Sequence, residues 1–406
     1  MRQETNARGR LIVVLVSVAV LALAAGLAAA QAVTQAAGPE ALGFKKHFAV
    51  EIVNPSPLTL ENQAVVIDVA EIRATVAADF NTYMYALFDV KGGEYGLVVS
   101  QADDLDKDRY HDEIVLVRTL PPASRTRLVC YYTPERSFQL MATERAFARA
   151  GWETGGAEAG WESNLAAYAF VHGGIGFFGK LQPGLILRSF PAGLAKAKDW
   201  GAVALEPGVS TGLGGLSVWD GASRLPLFGP SGPQAKVTVV SHGPVRGLVK
   251  AEYPAVKTAR GDVALTVFYS AFAESVCSRQ DVVAVAKPEG TITLGPGLQK
   301  LAGETSALDK AKGTLVVWGK GAGKAGEIGL AAVFAPADFS GLEESGADRA
   351  VKLALRSGQK LTYWVAGAWE RGLTAPEPAD PKGWARRVGD LAARLLVPVK
   401  VEFKAP

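Results

Sequence analysis

The sequence predicts a mainly β protein, built as a large sandwich of antiparallel sheets with few helices. Three observations carry that expectation. Short runs rich in Val, Ile, Leu, Tyr and Phe recur along most of the 406 residues, many alternating apolar with polar. Glycine (45) and proline (22) stand between those runs, where turn chemistry places them. Only two stretches carry a helical period.

Taken in order, residues 1–32 read as a secretory leader. Arg2, Arg8 and Arg10 precede the apolar run LIVVLVSVAVLALAAGLAAA, and Ala28-Ala29-Ala30 and Ala30-Gln31-Ala32 offer cleavage sites. The run is also long enough to stay as a membrane anchor. Either way the rest of the chain is expected outside the cytoplasm. Those arginines account for most of the formal charge of +3, so the remainder is near neutral. That balance gives no global field for nucleic acid or an anionic membrane.

Strands begin after His47 with FAVEIVNPSP and AVVIDV, and YMYALFDV and YGLVVSQ flank the turn Lys91-Gly92-Gly93-Glu94 as a hairpin. Further strands are expected at 114–118, 127–132, 185–188, 216–219, 236–240, 245–253, 263–269, 313–318, 328–334 and 360–368. GKGAGKAGE at 319–327 reads as a hairpin loop, since no strand-to-helix context makes it a phosphate loop. The helix candidates are 136–150 and 381–396. In the second, Trp384, Val388, Leu391 and Leu395 fall on one face. A single domain over 45–404 is expected, with any internal boundary near 135–160. Cys130 and Cys277 either pair or stay as buried thiols; two cysteines are no disulfide framework.

Chemistry-bearing residues concentrate in 160–180, GWESNLAAYAFVHGGIGFFGK. On one uninterrupted strand Glu162, Tyr168 and His172 would share a face, an acid, a phenol and an imidazole suited to acid/base work on a sugar. Trp161 would stack on a pyranose and Lys180 would help hold it, with Trp219 as a further platform. Ser241-His242-Gly243-Pro244-Val245-Arg246 adds a histidine and an arginine of equal parity, arginine being the natural bidentate partner of a uronate carboxylate. Each of these residues has a structural alternative, as core aromatic or hydrogen-bond partner. Asp104, Asp106, Asp108 and Asp112 have the 1, 3, 5 and 9 spacing of a calcium loop. Arg109 stands where the loop glycine belongs and Val115 where its last acid belongs, and a solvated acidic turn is the alternative. Calcium is the one cofactor expected. No G-x-S-x-G elbow and no HExxH helix is present, which argues against serine-hydrolase and zincin chemistry.

GWESNLAAY, GFFGK, DWGAVALEPGVSTGLGGLSVWDG, HGPVRGLVKAEY and LTYWVAGAWERG with the terminal helix, in that order, resemble a bacterial exported family, domain of unknown function 4861. The resemblance covers roughly residues 45 to 404. It implies a polysaccharide-utilisation component, often encoded near uronate-handling enzymes, with a fold similar to the galactose-mutarotase-like supersandwich. It supplies no catalytic assignment. The family tends to carry a DLDGDG-type loop where this chain has DLDKDRYHDE, with Lys107 and Arg109 in place of its glycines.

The leading expectation is an enzyme acting on uronate-containing glycans by β-elimination, with Arg246 against the carboxylate, His172 or His242 as base and Tyr168 as acid. A hydrolase would pair Glu162 with a second carboxylate such as Asp199, and an epimerase would use a similar acid/base pair. A non-catalytic glycan-binding protein would use Trp161, Trp200, Trp219 and Trp369 as platforms. A structural envelope protein is the third class.

Overall fold

Strand 113–120 reads EIVLVRTL, a nearly continuous apolar run, because both of its faces are covered. Ile114 and Leu116 point into one core with Val65 and Ile67 of the neighbouring strand Leu60–Asp68. Val115 and Val117, with Ala64 and Val66, point the other way onto Val245 and Phe272. That two-faced strand joins two sandwiches. The computed structural model describes residues 38–134, 142–152, 157–190, 197–229 and 232–405. The leader expected at 1–32 lies outside them. Among the described residues no helix is long and apolar enough to cross a membrane.

The smaller sandwich packs a three-stranded sheet (Leu60–Asp68, Glu113–Leu120, Ser100–Asp103) against a five-stranded one. The latter takes Lys46–Asn54, Ser124–Tyr132, Tyr85–Lys91 and Glu94–Val98, and its last member is Lys400–Lys404 from the far end of the chain. Phe48, Ile52, Phe80, Leu87 and Leu128 fill its core. The larger sandwich covers one face of an eight-stranded antiparallel sheet with two five-stranded sheets, and a single core runs through all three. The mainly β, antiparallel expectation holds.

The C-terminal helix forms where its period places it, at Pro381–Leu395. The Asp380 carboxylate caps the N–H of Gly383 and proline occupies the first turn, the residue types that start helices well. Trp384 and Val388 are buried and Leu391 and Leu395 partly buried, all on the outer face of the eight-stranded sheet. Trp384 can lie flat there because Gly329 beneath it has no side chain; a Cβ at 329 would sit 2.6 Å from the indole.

Two local expectations are corrected. Of the helix expected at 136–150, residues 135–141 lie outside the described set, and the remainder belongs to the strand Ala146–Trp152. There Ala146 and Ala148 point into the core while Phe147 and Arg149 point away; small inward residues hid the two-residue period. Residues expected to be a strand at 185–188 form instead the short helix Ile186–Ser189. The 319–327 segment does close a hairpin, between Thr314–Lys320 and Glu327–Phe334. Cys130 and Cys277 are free, buried thiols in different cores, so they do not pair.

The two sandwiches are locked by a buried polar knot. Arg246, 3% exposed, donates through Nε to Asp103 at 2.7 Å and pairs with Glu113 at 2.8 Å. Gln101 accepts from the N–H groups of Val245 and Arg246 and donates to the Arg246 carbonyl and to Asp103. Burial alone would push the guanidinium pKa down; the fields of Asp103 and Glu113 outweigh it and hold the charge firmly. Replacing Arg246 with Met strands Asp103 as a buried uncompensated charge, so the expected loss of stability is about 3–5 kcal/mol. Urea unfolding of the variant measures it.

Candidate functional site

Residues 160–180 do not form one strand. Ala157–Ser163, Ala166–Val171 and Gly174–Lys180 run antiparallel as neighbours, with turns at 164–165 and 172–173. Tyr168 therefore sits opposite Trp161, and Glu162 opposite Ala167, which places Tyr168 and Glu162 on opposite faces of the sheet.

The inner face is core. Trp161 and Tyr168 are 0% and 1% exposed and stack at 5.8 Å. The indole N–H donates to Ser278 Oγ at 2.9 Å, and the phenol donates to the Val276 carbonyl at 2.5 Å. Burial drives the Tyr168 pKa far up, so this hydroxyl keeps its proton. The outer face holds Glu162 and Lys180, both side chains wholly buried, in a 2.6 Å ion pair. Glu162 also accepts from the N–H groups of Ile186 and Leu187, and Lys180 donates to the carbonyls of Ser163 and Gly184. That carboxylate is what winds 186–189 into a helical turn. Desolvation raises the Glu162 pKa and lowers that of Lys180, each partly offset by the other's charge. With all three ammonium donors and both carboxylate oxygens engaged and neither side chain reaching solvent, the pair has no free position for a substrate.

The other expected site residues scatter. His172 is 43% exposed on a hairpin turn with φ of 46°, its ring 3.1 Å from Glu158. His242 lies at the opposite end of the same sheet, where Gly243 bridges to Ala146 and Ala146 pairs with Ser163. The strand between spans five residues from Glu158 to Ser163, about 17 Å. The two histidines cannot serve one site. Arg246 is the knot between the sandwiches and reaches no cleft. Trp219 is 5% exposed with its N–H on Glu343, and Trp369, also 5% exposed, donates to the Ala325 carbonyl; Trp200 packs on Phe190. Asp199 is exposed on a turn while Glu162 is buried and paired, so no open carboxylate pair flanks a bond.

Accessible chemistry gathers where the sandwiches meet. The loop after Ser100–Asp103 folds so that one carboxylate oxygen each of Asp104, Asp106 and Asp108 lies within 4.8 Å of the others. Asp104 accepts from the N–H groups of Lys107 and Arg109, Asp106 from that of Asp108, and Asp108 from that of Tyr110. Asp112 stands outside the converging set: its carboxylate closes the loop by accepting from the Leu105 N–H at 2.7 Å. Burial, then the fields of the other three aspartates, raise its pKa. At Asp104 burial pushes up, but the N–H donors of Arg109, Lys107 and Asp108 pull harder and the net shift is down. Asp106 and Asp108 each accept on one oxygen and keep the other, while both oxygens of Asp104 already take an N–H; a converging set of carboxylates is the ligand type a hard divalent cation such as calcium takes. Lys107 and Arg109 have φ of 70° and 79°, so the backbone keeps at both positions the left-handed shape that favours glycine.

This loop is seated on the large sandwich. The Lys107 ammonium donates to the Val240 carbonyl, and Lys250 Nζ donates to that of Leu105 at 3.3 Å. Two residues past Val240, His242 is 48% exposed, with Nδ1 3.6 Å from Glu144, and Glu144 also pairs with Arg188. Phe147 packs against the imidazole at 4.8 Å. On the other side of the loop, Tyr83 (50% exposed) lies against His111 and Tyr110 is 65% exposed. Of this group sequence reasoning found the aspartates and His242. Glu144, Arg188 and Tyr83 carry no motif and are assembled by tertiary contact alone.

Fold and junction define a two-sandwich antiparallel protein with an acidic loop tied by Lys107 to the strand that precedes a half-exposed histidine. The chain belongs to the family described as Domain of unknown function (DUF4861), whose model matches residues 52–401. No curated protein matches it. Among solved structures the chain is similar to a protein in glycosyl hydrolase family 38 from Enterococcus faecalis, at 10% identity and a TM-score of 0.49, over 90% of this chain and 48% of that one. An alpha-mannosidase from Enterococcus faecalis is similar at 9% identity and a TM-score of 0.46, over 89% and 46%. This chain spans about half the length of either protein.

Two outcomes test these assignments. Lys180→Met leaves Glu162 buried and unpaired, so thermal and urea unfolding should show a loss of about 3–5 kcal/mol. Arg109→Gly relieves a left-handed non-glycine residue and should raise stability by about 1 kcal/mol, read as a higher Tm.

Proposed function

We propose that the protein works outside the cytoplasm on uronate-containing glycans, at the junction where the aspartate loop meets His242. The observation that carries this reading is the convergence of Asp104, Asp106 and Asp108 on a loop tied by Lys107 to the strand Lys236–Ser241, which His242 follows. Those three aspartates would hold the cation. When bound, it would supply the positive charge that a uronate carboxylate needs for its C5 proton to become acidic. His242 supplies the base: with Nδ1 turned to Glu144, Nε2 is the nitrogen left to accept that proton. This replaces the arrangement in which Arg246 neutralises the carboxylate and Tyr168 protonates the leaving oxygen. β-Elimination is the reaction favoured: the C5–H bond breaks toward Nε2, its electron pair forms the C4=C5 double bond, and the C4–O bond breaks with the leaving oxygen taking a proton from water. The exposed rings of Tyr83 and Tyr110 beside the loop favour, as the second reading, a protein that holds acidic glycans without cleaving them.

The test is a product assay on the chain without its leader, using a panel of uronate-rich polysaccharides with and without calcium. Ultraviolet absorbance from an unsaturated uronate together with new reducing ends is the expected result, lost in His242→Ala and strongly reduced in Asp106→Asn. Reducing ends without absorbance would mean hydrolysis, and glycan binding without either signal would establish the second reading. Calcium should raise the Tm of the wild type and not that of Asp106→Asn. Its effect should shrink as pH falls, because protons compete with the cation for the same carboxylates.

A further inference from the structure

The strand Leu60–Asp68, the outer face of the eight-stranded sheet and the C-terminal helix meet around a cavity of about 220 Å³. A second cavity of about 390 Å³ continues from it, sharing Gln63, Ala64, Arg279, Trp364 and Leu395 as walls. Together they form a groove on the seam between the sandwiches, a common place for ligand sites. It is not the aspartate loop, none of whose residues lines it.

Its walls hold the cations Arg279, Arg387, Arg394 and Lys360 and the acids Glu61, Glu274, Asp68 and Glu113, and the two acids of the second cavity are already engaged: Glu113 pairs with Arg246, and Asp68 caps the N–H groups of Ala70 and Glu71. Arg279, Arg387 and Arg394 line the first cavity. Arg279 is held by Asp281 at 3.0 Å, and Arg394 by Glu61 at 3.0 Å on the solvent side. Glu274, the other acid of the first cavity, is taken by Arg145 at 2.8 Å and Asn164 at 3.1 Å. Arg387 is different. Its one protein partner is the Ala375 carbonyl at 3.0 Å, and among the described residues no carboxylate lies within ion-pair distance of it. A half-buried guanidinium with one of five N–H groups engaged is a site awaiting acceptors. Burial and the neighbouring Arg394 charge lower its pKa, the mark of a cation lacking its counter-ion, although the Cys277 beside it works the other way. Two non-glycine residues of the rim hold left-handed backbones, Asn62 at φ 48° on a bulged strand and Glu274 at φ 61°. Strain of this kind persists where the surroundings impose it, often at binding sites.

We propose that this groove binds an acidic sugar unit, with Arg387 taking the carboxylate, Arg394 adding a second positive charge and the Trp364 indole forming a flat apolar wall for the ring. The proposal rests on the reading that the protein handles uronate glycans, and it places recognition of an acidic residue at a second position on the same seam. Arg387 is then a specificity residue rather than a catalytic one. A planar guanidinium suits a carboxylate bidentately, and the aromatic face suits a pyranose more than an isolated inorganic anion.

Calorimetric titration of the chain without its leader tests this with galacturonate and glucuronate oligomers, the matching neutral oligomers and inorganic phosphate. Saturable binding of the acidic oligomers, much weaker binding of the neutral ones and weak phosphate binding are expected. Arg387→Gln should weaken acidic binding about tenfold or more, and Arg387→Lys, which keeps the charge but loses the fork, should fall between. Both variants should melt close to the wild type, since a single carbonyl contact is lost; if the glutamine variant does not fold, the lysine variant carries the comparison. Acidic binding unchanged in the Arg387 variants but lost in Asp106→Asn overturns this site and leaves the proposed function standing. Phosphate binding as tight as uronate binding overturns the sugar assignment. No acidic glycan bound or turned over by any form sinks both.

Discussion

The rest of the molecule depends on a single guanidinium. Arg246 enters from the large sandwich, Asp103, Glu113 and Gln101 enter from the small one, and all four are closed off from water or nearly so. A buried charge is tolerated only when its partners are fixed in place. The knot therefore sets the angle between the sandwiches as well as joining them. Asp103 ends the strand from which the aspartate loop departs, so the same constraint delivers that loop to Val240 and His242. One member of the knot, Glu113, also lines the second cavity of the arginine-lined groove, whose walls come from both sandwiches and from the C-terminal helix.

A second buried network does local work that the sequence disguises. Glu162 and Lys180 look like site residues because acids and lysines among glycines and aromatics often are. Here they organise 181–189: the carboxylate holds two helical N–H groups and the ammonium two carbonyls. A charged group can be a structural cap in a sheet protein wherever a long loop must be pinned over it, and the cost of burying it is offset only if every hydrogen-bonding position is filled. Full saturation is what separates this pair from Arg387, whose guanidinium is equally arginine-like in sequence and nearly unpartnered in space.

Much of the architecture was legible because strands declare themselves by period and by the turn residues between them. The C-terminal helix was legible for the corresponding reason, with Trp384, Val388, Leu391 and Leu395 on one stripe. Misreadings occurred where that signal is weak. Ala146 and Ala148 are inward but small, so their strand looked featureless, and 185–187 is an apolar run that reads as a strand, yet a distant carboxylate holds the N–H groups of Ile186 and Leu187 at the start of a helical turn. The expected shared face of Glu162, Tyr168 and His172 failed because a turn at 164–165 reverses the chain and a second at 172–173 reverses it again. The aspartate loop was legible since its spacing is local, and its two left-handed positions fall at Lys107 and Arg109.

By itself the sequence determined the fold class, the family and the existence of an acidic loop, because each is written in near neighbours: alternation along strands, glycine at turns, aspartates two apart. Only the tertiary structure decided which polar residues are free. Whether a glutamate is a base or a cap, and whether an arginine is a lock or a receptor, depends on what other parts of the chain bring within hydrogen-bonding distance. Residues more than a hundred positions apart, such as Asp103 and Arg246 or Tyr168 and Val276, make those decisions here. The desolvation that gives such contacts their strength exists only once the sheets have closed around them.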